Sequence, residues 1–261
     1  MRMKEARGPF FSLLGALLGV CLALASCRDE MPKPPQREVT PIDPETAATI
    51  SGTVLFQGPV PPQAEVRLGG WAECTAQHEG PVHAGDVLVE GGKLRNAIVY
   101  VKEGLGDRVF AIPEEPVVVD QRGCVFVPRI AAARAYQPVQ FLNGDPMAHN
   151  VHGLARKSQE WNFSLGVKGA ARTIALASPE VPIEIVCDIH PWMRAYIAVF
   201  DHPYFALSAA DGSFALGNLP PGQYVIEAWH ERFGTRATPV SLGARDRAEI
   251  SFTFSASKPA R

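Results

Sequence analysis

Short strand-like runs separated by turn residues are the feature that most limits what this chain can fold into. From residue 48 onward, runs rich in β-branched and aromatic residues alternate with Gly, Pro, Asn and Asp. They read TISGTVLF, NAIVYV, PVVVD, CVFVP, PVQFLN, RTIALA, IEIVC, AYIAVF, SFALG, QYVIEAW and EISFTF. Many short strands at such spacing predict an all-β fold of antiparallel sandwiches or barrels. Only the stretch RIAAARAY, residues 129–136, has a helical pattern, and we predict a short helix there.

The N-terminus predicts export. A basic stretch precedes an apolar run that is too short for a comfortable membrane span, so residues 1–26 are predicted to be a secretory signal. The sequence Leu24-Ala25-Ser26-Cys27 resembles the lipobox of bacterial lipoproteins, which implies cleavage before Cys27 and acylation of its thiol. The alternative is an ordinary signal cleaved nearby, which leaves Cys27 free.

Processing as a lipoprotein implies a place in the bacterial cell envelope, facing the periplasm, at the outer membrane rather than the inner one. Residues 27–47 are rich in proline and poor in large apolar side chains, which predicts a linker. Beyond the linker we distinguish an N-terminal β segment at 48–111, a central segment at 112–201 and a C-terminal β segment at 202–256. Without residues 1–26 the chain has 22 basic and 26 acidic residues, a net charge of −4 that gives no support to nucleic-acid binding.

Three cysteines remain in the part that is expected to fold: Cys74, Cys124 and Cys187. An oxidising compartment favours disulfides, but three thiols cannot all pair within one chain. Either one thiol stays free or it has another role. Cys187 is the one with neighbours typical of a metal site.

Those neighbours lie in CDIHPWM, where Cys187, His190 and Met193 follow the spacing C-x₂-H-x₂-M. His149 precedes Cys187 in NGDPMAHNVHG, and the two meet only if neighbouring strands of a sandwich bring them together. Copper that cycles between Cu(I) and Cu(II) suits two imidazoles, a thiolate and a weak axial thioether. The alternative for Cys187 is a disulfide with Cys74 or Cys124, which would leave the histidines and Met193 without a role.

The combination of HNVH with C-x₂-H-x₂-M resembles the cupredoxins, and within them the amicyanin type, whose ligand loop has the same short spacing. The resemblance covers 112–201 and implies a Greek-key sandwich with one type 1 copper. It implies His149, Cys187 and His190 as equatorial ligands, with Met193 axial. It also gives Asn150 the role of tying the His149 strand to the Cys187 loop. His152 competes with His149, but residues three apart on a strand point to opposite faces, so only one can face the metal.

The C-terminal stretch ADGSFALGNLPPGQYVIEAWHE resembles carboxypeptidase regulatory-like, or transthyretin-like, sandwiches. It lacks the opening strands of such a domain, and ISGTVLFQG and NAIVYVKEG resemble those strands. The copper segment is therefore inserted into this sandwich, or the two domains are consecutive; the sequence leaves both arrangements open.

Further site predictions follow from the copper assignment. We expect a disulfide between Cys74 and Cys124. We also expect His190 to lie close to the surface, within an apolar docking patch formed by Pro191, Trp192 and Met147 together with Pro146. Of the remaining histidines, His78 and His83 are expected to be solvated, and His202 and His230 to be structural.

These predictions describe a membrane-tethered electron carrier whose redox partner the sequence does not identify. The alternative is a non-redox copper-binding or structural surface protein. The sequence has no His-x-His pair for a multi-copper cluster, no G-x-S-x-G, no H-E-x-x-H and no complete phosphate loop. We therefore expect no enzymatic activity of its own.

Overall fold

The structure, a computed structural model, describes residues 31–68 and 70–256. The predicted signal at 1–26 and the lipidation site Cys27 lie outside the described residues. Within the described part, none of the helices has the length and hydropathy needed to cross a membrane.

The described residues form strands and one short helix. In chain order these are β1 (Ala48–Gln57), α1 (Ala72–Thr75), β2 (Val89–Glu90), β3 (Lys93–Leu94), β4 (Ile98–Glu103), β5 (Val117–Gln121), β6 (Phe126–Val127), β7 (Ile130–Arg134), β8 (Pro138–Asn143), β9 (His149–Leu154), β10 (Trp161–Leu165), β11 (Ala171–Ala175), β12 (Glu180–Val186), β13 (Arg194–Phe200), β14 (Phe205–Leu207), β15 (Ser213–Leu219), β16 (Gly222–His230), β17 (Gly234–Leu242) and β18 (Arg247–Ser255). The prediction of an all-β fold is confirmed.

The strands from 117 to 200 form a sandwich that we call the central sandwich. One sheet has the order β10-β9-β12-β13-β7, and the other has the order β11-β8-β5-β6. Residues of β8 alternate between half-buried and buried, the period-2 pattern of a strand with one face on a core. Phe141 from one sheet and Ile185 and Ile197 from the other are fully buried in the same core.

The remaining strands form the split sandwich, whose members come from both ends of the described chain. Strand β1 pairs with β15, β18 and β3 in one sheet, and the other sheet has the order β14-β4-β16-β17. Its core contains Ile50 and Val99 from the N-terminal part and Ile226 and Phe254 from the C-terminal part. In chain order, the central sandwich therefore lies between β4 and β14, two strands that pair with each other.

Packed side chains join the two sandwiches. A third core combines Ile98 and Trp229 of the split sandwich with Ile130 and Phe200 of the central one. Beside this core, Arg129 Nε and Nη2 donate to the two carboxylate oxygens of Glu231, each at 2.6 Å. Paired donors and acceptors of this geometry fix orientation as well as distance.

The predicted helix at 129–136 is wrong, because most of this stretch is strand β7. It pairs in parallel with β13, from Tyr196↔Ile130 to Phe200↔Arg134. Alanine favours helices in isolation, but hydrogen bonding to β13 and burial of Ile130 override that propensity. Within the described residues the helix is α1, which lies in a stretch without a helical pattern of residues.

Part of the predicted linker contacts the split sandwich. Residues 31–39 are exposed and have no regular structure. Thr40 then donates its N–H to Val109 O at 2.8 Å, and Ile42 packs against the split-sandwich core.

Candidate metal centre

Three neighbouring strands of one sheet bring the predicted ligands together. His149 is the first residue of β9, Cys187 directly follows β12, and Met193 directly precedes β13. Strand β12 pairs with β9 through Val186↔His152 and with β13 through Val186↔Arg194. The loop 187–193 therefore joins two antiparallel strands at the sheet edge where β9 begins. This pairing explains how residues distant in sequence can share one site.

The ligand atoms of His149, Cys187 and His190 all lie within 4.8 Å of one another. The two Nδ1 atoms of the histidines are 2.9 Å apart, and Cys187 Sγ lies 3.7 Å from His190 Nδ1. All three side chains are buried, and Met193 is fully buried in the same core. Two backbone hydrogen bonds close the loop: Met193 N to His190 O at 2.9 Å and Cys187 N to Met193 O at 3.3 Å.

The environment of Cys187 favours its thiolate. Burial raises the pKa of the thiol, but the hydrogen bond with His149 and the surrounding backbone N–H groups outweigh burial, so the pKa lies below its ordinary value. The N–H groups of Asn150 and His190 point to the sulfur at 3.5 and 3.4 Å. A thiolate is the form that binds a metal.

His149 is held by a buried carboxylate that the sequence analysis did not identify. Asp145 Oδ2 lies 2.9 Å from His149 Nε2, and the backbone N–H groups of Gly123 and Cys124 donate to the same carboxylate at 2.7 Å each. Burial alone lowers the pKa of His149, but Asp145 and Cys187 raise it further than burial lowers it, to about 9. In the sequence, the only indication of this contact is that Asp145 lies four residues before His149, in the turn NGDP.

His190 differs from His149 in its surroundings. Burial and the neighbouring His149 lower the pKa of His190 to about 4, so its ring is neutral. Its Nε2 atom is buried and has no hydrogen-bond partner among the described residues. The neutral ring leaves Nδ1, the atom that faces His149 and Cys187, free to act as a metal ligand.

Asn150 connects the β9 strand to the cysteine loop. Its Oδ1 accepts from Asp188 N at 2.6 Å, and its Nδ2 donates to Asp188 Oδ2 at 2.9 Å. Asn150 Nδ2 also donates to Asn162 Oδ1 at 2.8 Å. These bonds hold Asp188, which follows Cys187, against Asn150, which follows His149.

The structure brings His149, and not His152, to Cys187 and His190. The His152 ring is half-buried and lies between two acidic side chains: Nε2 is 2.7 Å from Glu160 Oε1, and Nδ1 is 3.1 Å from Asp188 Oδ1. Hydrogen bonds to Glu160 and Asp188 raise the pKa of His152.

The expectation that His190 lies near the surface is wrong, because its side chain is fully buried. Two indole rings cover it, Trp71 with ring centroids 4.4 Å away and Trp192 at 5.2 Å. Trp192 is half-buried, and its Nε1 donates to Cys124 O at 3.0 Å. Of the other predicted patch residues, Pro191 and Pro146 are exposed and Met147 is half-buried.

Trp71 belongs to a segment that connects β1 to β2 and that we call the capping segment, residues 58–68 and 70–88. The predicted disulfide between Cys74 and Cys124 is confirmed, and it joins this segment to the central sandwich. His78, expected to be solvated, is half-buried with Nε2 2.7 Å from Gly123 O, whereas His83 is exposed. The sequence carried no signal for Trp71 beyond its position three residues before Cys74.

The donor set fits copper. A buried thiolate and two imidazole nitrogens converge, and the sulfur and nitrogen ligands match the preference of copper for soft donors and imidazole. Because an ionised carboxylate only accepts hydrogen bonds, Asp145 places a proton on His149 Nε2, and Nδ1 would then be the atom that binds a metal ion.

Comparisons with known proteins give only weak similarities. No protein-family model matches the chain, and no curated protein matches it. Part of the chain is similar to the Cu-containing nitrite reductase of Thermus scotoductus SA-01, with 18% identity, coverage of 57% of this chain and 28% of that one, and a TM-score of 0.32. This chain thus spans less than a third of the reductase.

Two shorter proteins are similar over nearly their whole length. A methionine-to-alanine mutant of amicyanin in the Cu(I) state has 20% identity, with 39% of this chain and 97% of that one covered and a TM-score of 0.29. A purple cupredoxin from Nitrosopumilus maritimus has 15% identity, with coverages of 32% and 98% and a TM-score of 0.28. All three TM-scores are below 0.5, so the interpretation of the site rests on its own geometry.

Proposed function

We propose that the chain is an electron carrier with a single type 1 copper. His149, Cys187 and His190 would hold the ion equatorially, and Met193 would be the weak axial ligand. The observation that carries this proposal is the convergence of one thiol sulfur and one nitrogen from each of two imidazoles within 4.8 Å in a buried position.

Copper, when bound, supplies one-electron exchange between Cu(I) and Cu(II). The protein would keep its ligands in place through both states. Asp145 fixes the His149 ring, and Asn150 ties the loop that carries Cys187 to strand β9. The backbone bonds that close the loop 187–193 resist its rearrangement. A site that barely moves suits rapid electron transfer, because little reorganisation accompanies the change of charge.

Copper titration followed by visible spectroscopy tests the ligand assignment. The copper-loaded protein should be intensely blue or green from charge transfer between the thiolate and Cu(II). Cys187→Ser should abolish this colour, because a hydroxyl does not form the covalent copper–sulfur bond. Met193→Leu should stay coloured with a raised reduction potential, since loss of the weak axial bond favours Cu(I). A colourless Cu(II) form of the unmodified protein would contradict the proposal.

A second candidate is a non-redox protein that holds copper without exchanging electrons. The observation in its favour is the complete burial of His190, since a closed site suits retention of the ion. This candidate predicts that copper stays in one oxidation state or is lost when that state changes. The carrier predicts that the same ion remains bound through repeated reduction and oxidation.

We further propose that the chain is tethered to a membrane through acylated Cys27, on the periplasmic side of the bacterial outer membrane. The lipobox-like Leu24-Ala25-Ser26-Cys27 supports this proposal. Mass spectrometry of the mature N-terminus tests it: a lipid-modified Cys27 is expected, and Cys27→Ser should release the protein from the membrane fraction. An unmodified N-terminus at another residue would overturn it.

For the split sandwich we propose a structural role in a transthyretin-like module, with no enzymatic activity of its own. Its two predicted turns support the resemblance. At the first, Gly212 has φ +74° and Asp211 Oδ1 accepts from Ser213 N at 3.0 Å. At the second, Tyr224 donates its hydroxyl to Pro220 O at 2.6 Å, which fastens the turn.

A further inference from the structure

His190 is a proposed copper ligand that has no exposed edge. Trp192, which belongs to the same loop, contacts one side of its ring and is itself fixed by the bond from Nε1 to Cys124 O. Trp71 contacts the ring with centroids 4.4 Å apart and planes at 64°, an edge-to-face arrangement. Trp71 comes from the capping segment, so a part of the chain outside the central sandwich closes the site.

The capping segment is fastened to the central sandwich at several points around Trp71. Leu68 is part of the central core, and Cys74 forms the disulfide with Cys124. Gln77 Nε2 donates to Met147 Sδ at 3.7 Å, in the turn that precedes strand β9. The segment is therefore attached to the sandwich that holds the site, although it lies in sequence between two strands of the other sandwich.

Trp71 lies against the proposed ligand and is also partly open to solvent. Trp71 is 37% exposed, whereas His190 is fully buried. Its backbone is fixed at the start of α1, where its N–H donates to Leu68 O at 3.1 Å and its carbonyl accepts from Thr75 N at 3.0 Å. The indole ring of Trp71 therefore lies between the buried imidazole of His190 and the solvent.

We propose that Trp71 determines access to the metal centre: it separates His190 from solvent and so slows electron exchange between copper and redox reagents dissolved in water. The inference deepens the proposed function and rests on it for the redox step. In that step one electron passes from Cu(I) to an oxidised one-electron partner, and Trp71 is left unchanged. A reagent dissolved in water cannot contact His190 while the ring is in place.

Chemical modification of the metal-free protein tests the covering role without copper. Diethyl pyrocarbonate should carbethoxylate exposed His83 in every variant, which serves as the internal reference. Trp71→Ala should raise the modification rate of His190 by about 2- to 13-fold, the range of factors that corresponds to the loss of one aromatic contact. Val60→Ala, another exposed residue of the segment, is the matched control and should leave His190 protected. Equal rates for His190 in the Trp71→Ala variant and the unmodified protein would overturn the proposal.

Two further variants keep the test decisive if Trp71→Ala does not fold. Trp71→Phe retains an aromatic cover and should keep His190 protected. Trp71→Leu keeps an apolar side chain at this position but removes the aromatic ring. His190 should be modified faster in Trp71→Leu than in Trp71→Phe, and equal rates in the two folded variants would overturn the proposal.

The copper-loaded protein adds a redox readout. Oxidation of Cu(I) by hexacyanoferrate(III), which accepts one electron to become hexacyanoferrate(II), should be faster in Trp71→Ala than in the unmodified protein by about the same 2- to 13-fold factor. Equal rates in the two proteins would overturn the proposal. Failure to form any coloured, redox-active copper complex would refute the proposed function, while the modification result on the metal-free protein would still decide whether Trp71 covers His190.

Discussion

Two buried histidines, one in each sandwich, show what distinguishes a chemical site from a packed core. In the central sandwich, His149 lies against the Asp145 carboxylate, which raises its pKa against the effect of burial, to about 9. In the split sandwich, His230 stacks on Phe233 at 4.7 Å, and burial lowers its pKa to about 4. Both side chains are almost completely buried. Burial therefore does not distinguish the candidate metal ligand from the core residue; the buried acidic and thiol partners do.

The difference has a physical reason. A histidine buried among apolar rings loses hydration and stays neutral, so it fills space and satisfies one hydrogen bond, as His230 does with Arg232 N at 3.2 Å. A histidine buried beside a carboxylate and a thiol, such as His149, keeps its proton because both neighbours accept hydrogen bonds from the ring. A metal cation can replace that proton at Nδ1, because the cluster already favours positive charge there.

The largest expected effect separates the two histidines by copper binding. His149→Ala should lower copper affinity by more than the roughly 10–100-fold cost of losing a group that only supports a ligand. His230→Ala should leave affinity unchanged but lower the free energy of unfolding by about 2–5 kcal/mol through the cavity it creates. Copper titration and urea unfolding of both variants check this. Loss of copper binding in the His230→Ala variant would contradict the distinction between His149 as a ligand and His230 as a core residue.

The disulfide should contribute the next largest effect. Cys74 and Cys124 are 50 residues apart, and closing such a loop contributes about 4 kcal/mol by the chain-entropy model. Replacing both with serine should lower the free energy of unfolding by up to this amount, measured by urea denaturation. An unchanged midpoint would show that the capping segment is held by its other contacts alone.

Asp145→Asn should weaken copper binding by about 10–100-fold, because the amide no longer fixes the His149 ring as a carboxylate does. Competition with a copper chelator measures the affinity. Asp120→Asn is a matched control, because this carboxylate pairs with exposed Arg122 instead of a ligand. An equal loss of copper affinity in both variants would show that the removal of any nearby negative charge, and not the loss of the bond to His149, weakens copper binding.

The pH dependence of the metal-free protein should show opposite signs for the two histidines. His149, with a folded pKa raised to about 9, stabilises the fold below the unfolded value near 6.5 and loses this contribution as pH rises through 9. His230, lowered to about 4, stabilises above about 6.5 and loses its contribution as pH falls toward 4. Urea unfolding at a series of pH values between 4 and 9 gives the free energy of unfolding as a function of pH. His149→Gln should reduce the slope of this curve between about 6.5 and 9, and His230→Gln should reduce it between about 4 and 6.5. The reverse assignment would refute the account.

His152→Ala should have the smallest effect. Its ring lies between Glu160 and Asp188 near the surface, where ion pairs contribute about 0–1 kcal/mol. The copper colour should be unchanged, and the free energy of unfolding should fall by no more than that amount. Bleaching by His152→Ala, with colour retained in His149→Ala, would reverse the choice between them.

Much of the fold could be predicted because strand signals are local. The alternation in PVQFLN, which became β8, and the turn at Asp211-Gly212 depend on neighbouring residues only. The Ala-rich stretch that became β7 could not be predicted, because its conformation depends on pairing with β13, far along the chain. Pairing between β4 and β14 likewise cannot be derived from either strand alone.

In the candidate site, too, features that depend on residues close in sequence could be predicted, and features that depend on distant residues could not. The cluster Cys187, His190 and Met193 could be recognised because its members are close in sequence. Asp145 was missed because a turn sequence gives no sign that its carboxylate points inward, toward His149. Trp71 was missed because an exposed loop residue gains a role only when a disulfide places its segment over His190.

Voltammetry of the protein with one equivalent of copper tests the central claim most directly. A carrier whose buried thiolate and imidazoles hold the ion in both states predicts one reversible one-electron wave, with copper retained and the colour fully restored after each cycle. Cys187→Ser should lose the wave. Loss of copper on oxidation, or the absence of a reversible wave in a fully loaded protein, would contradict the account and leave a protein that binds copper without carrying electrons.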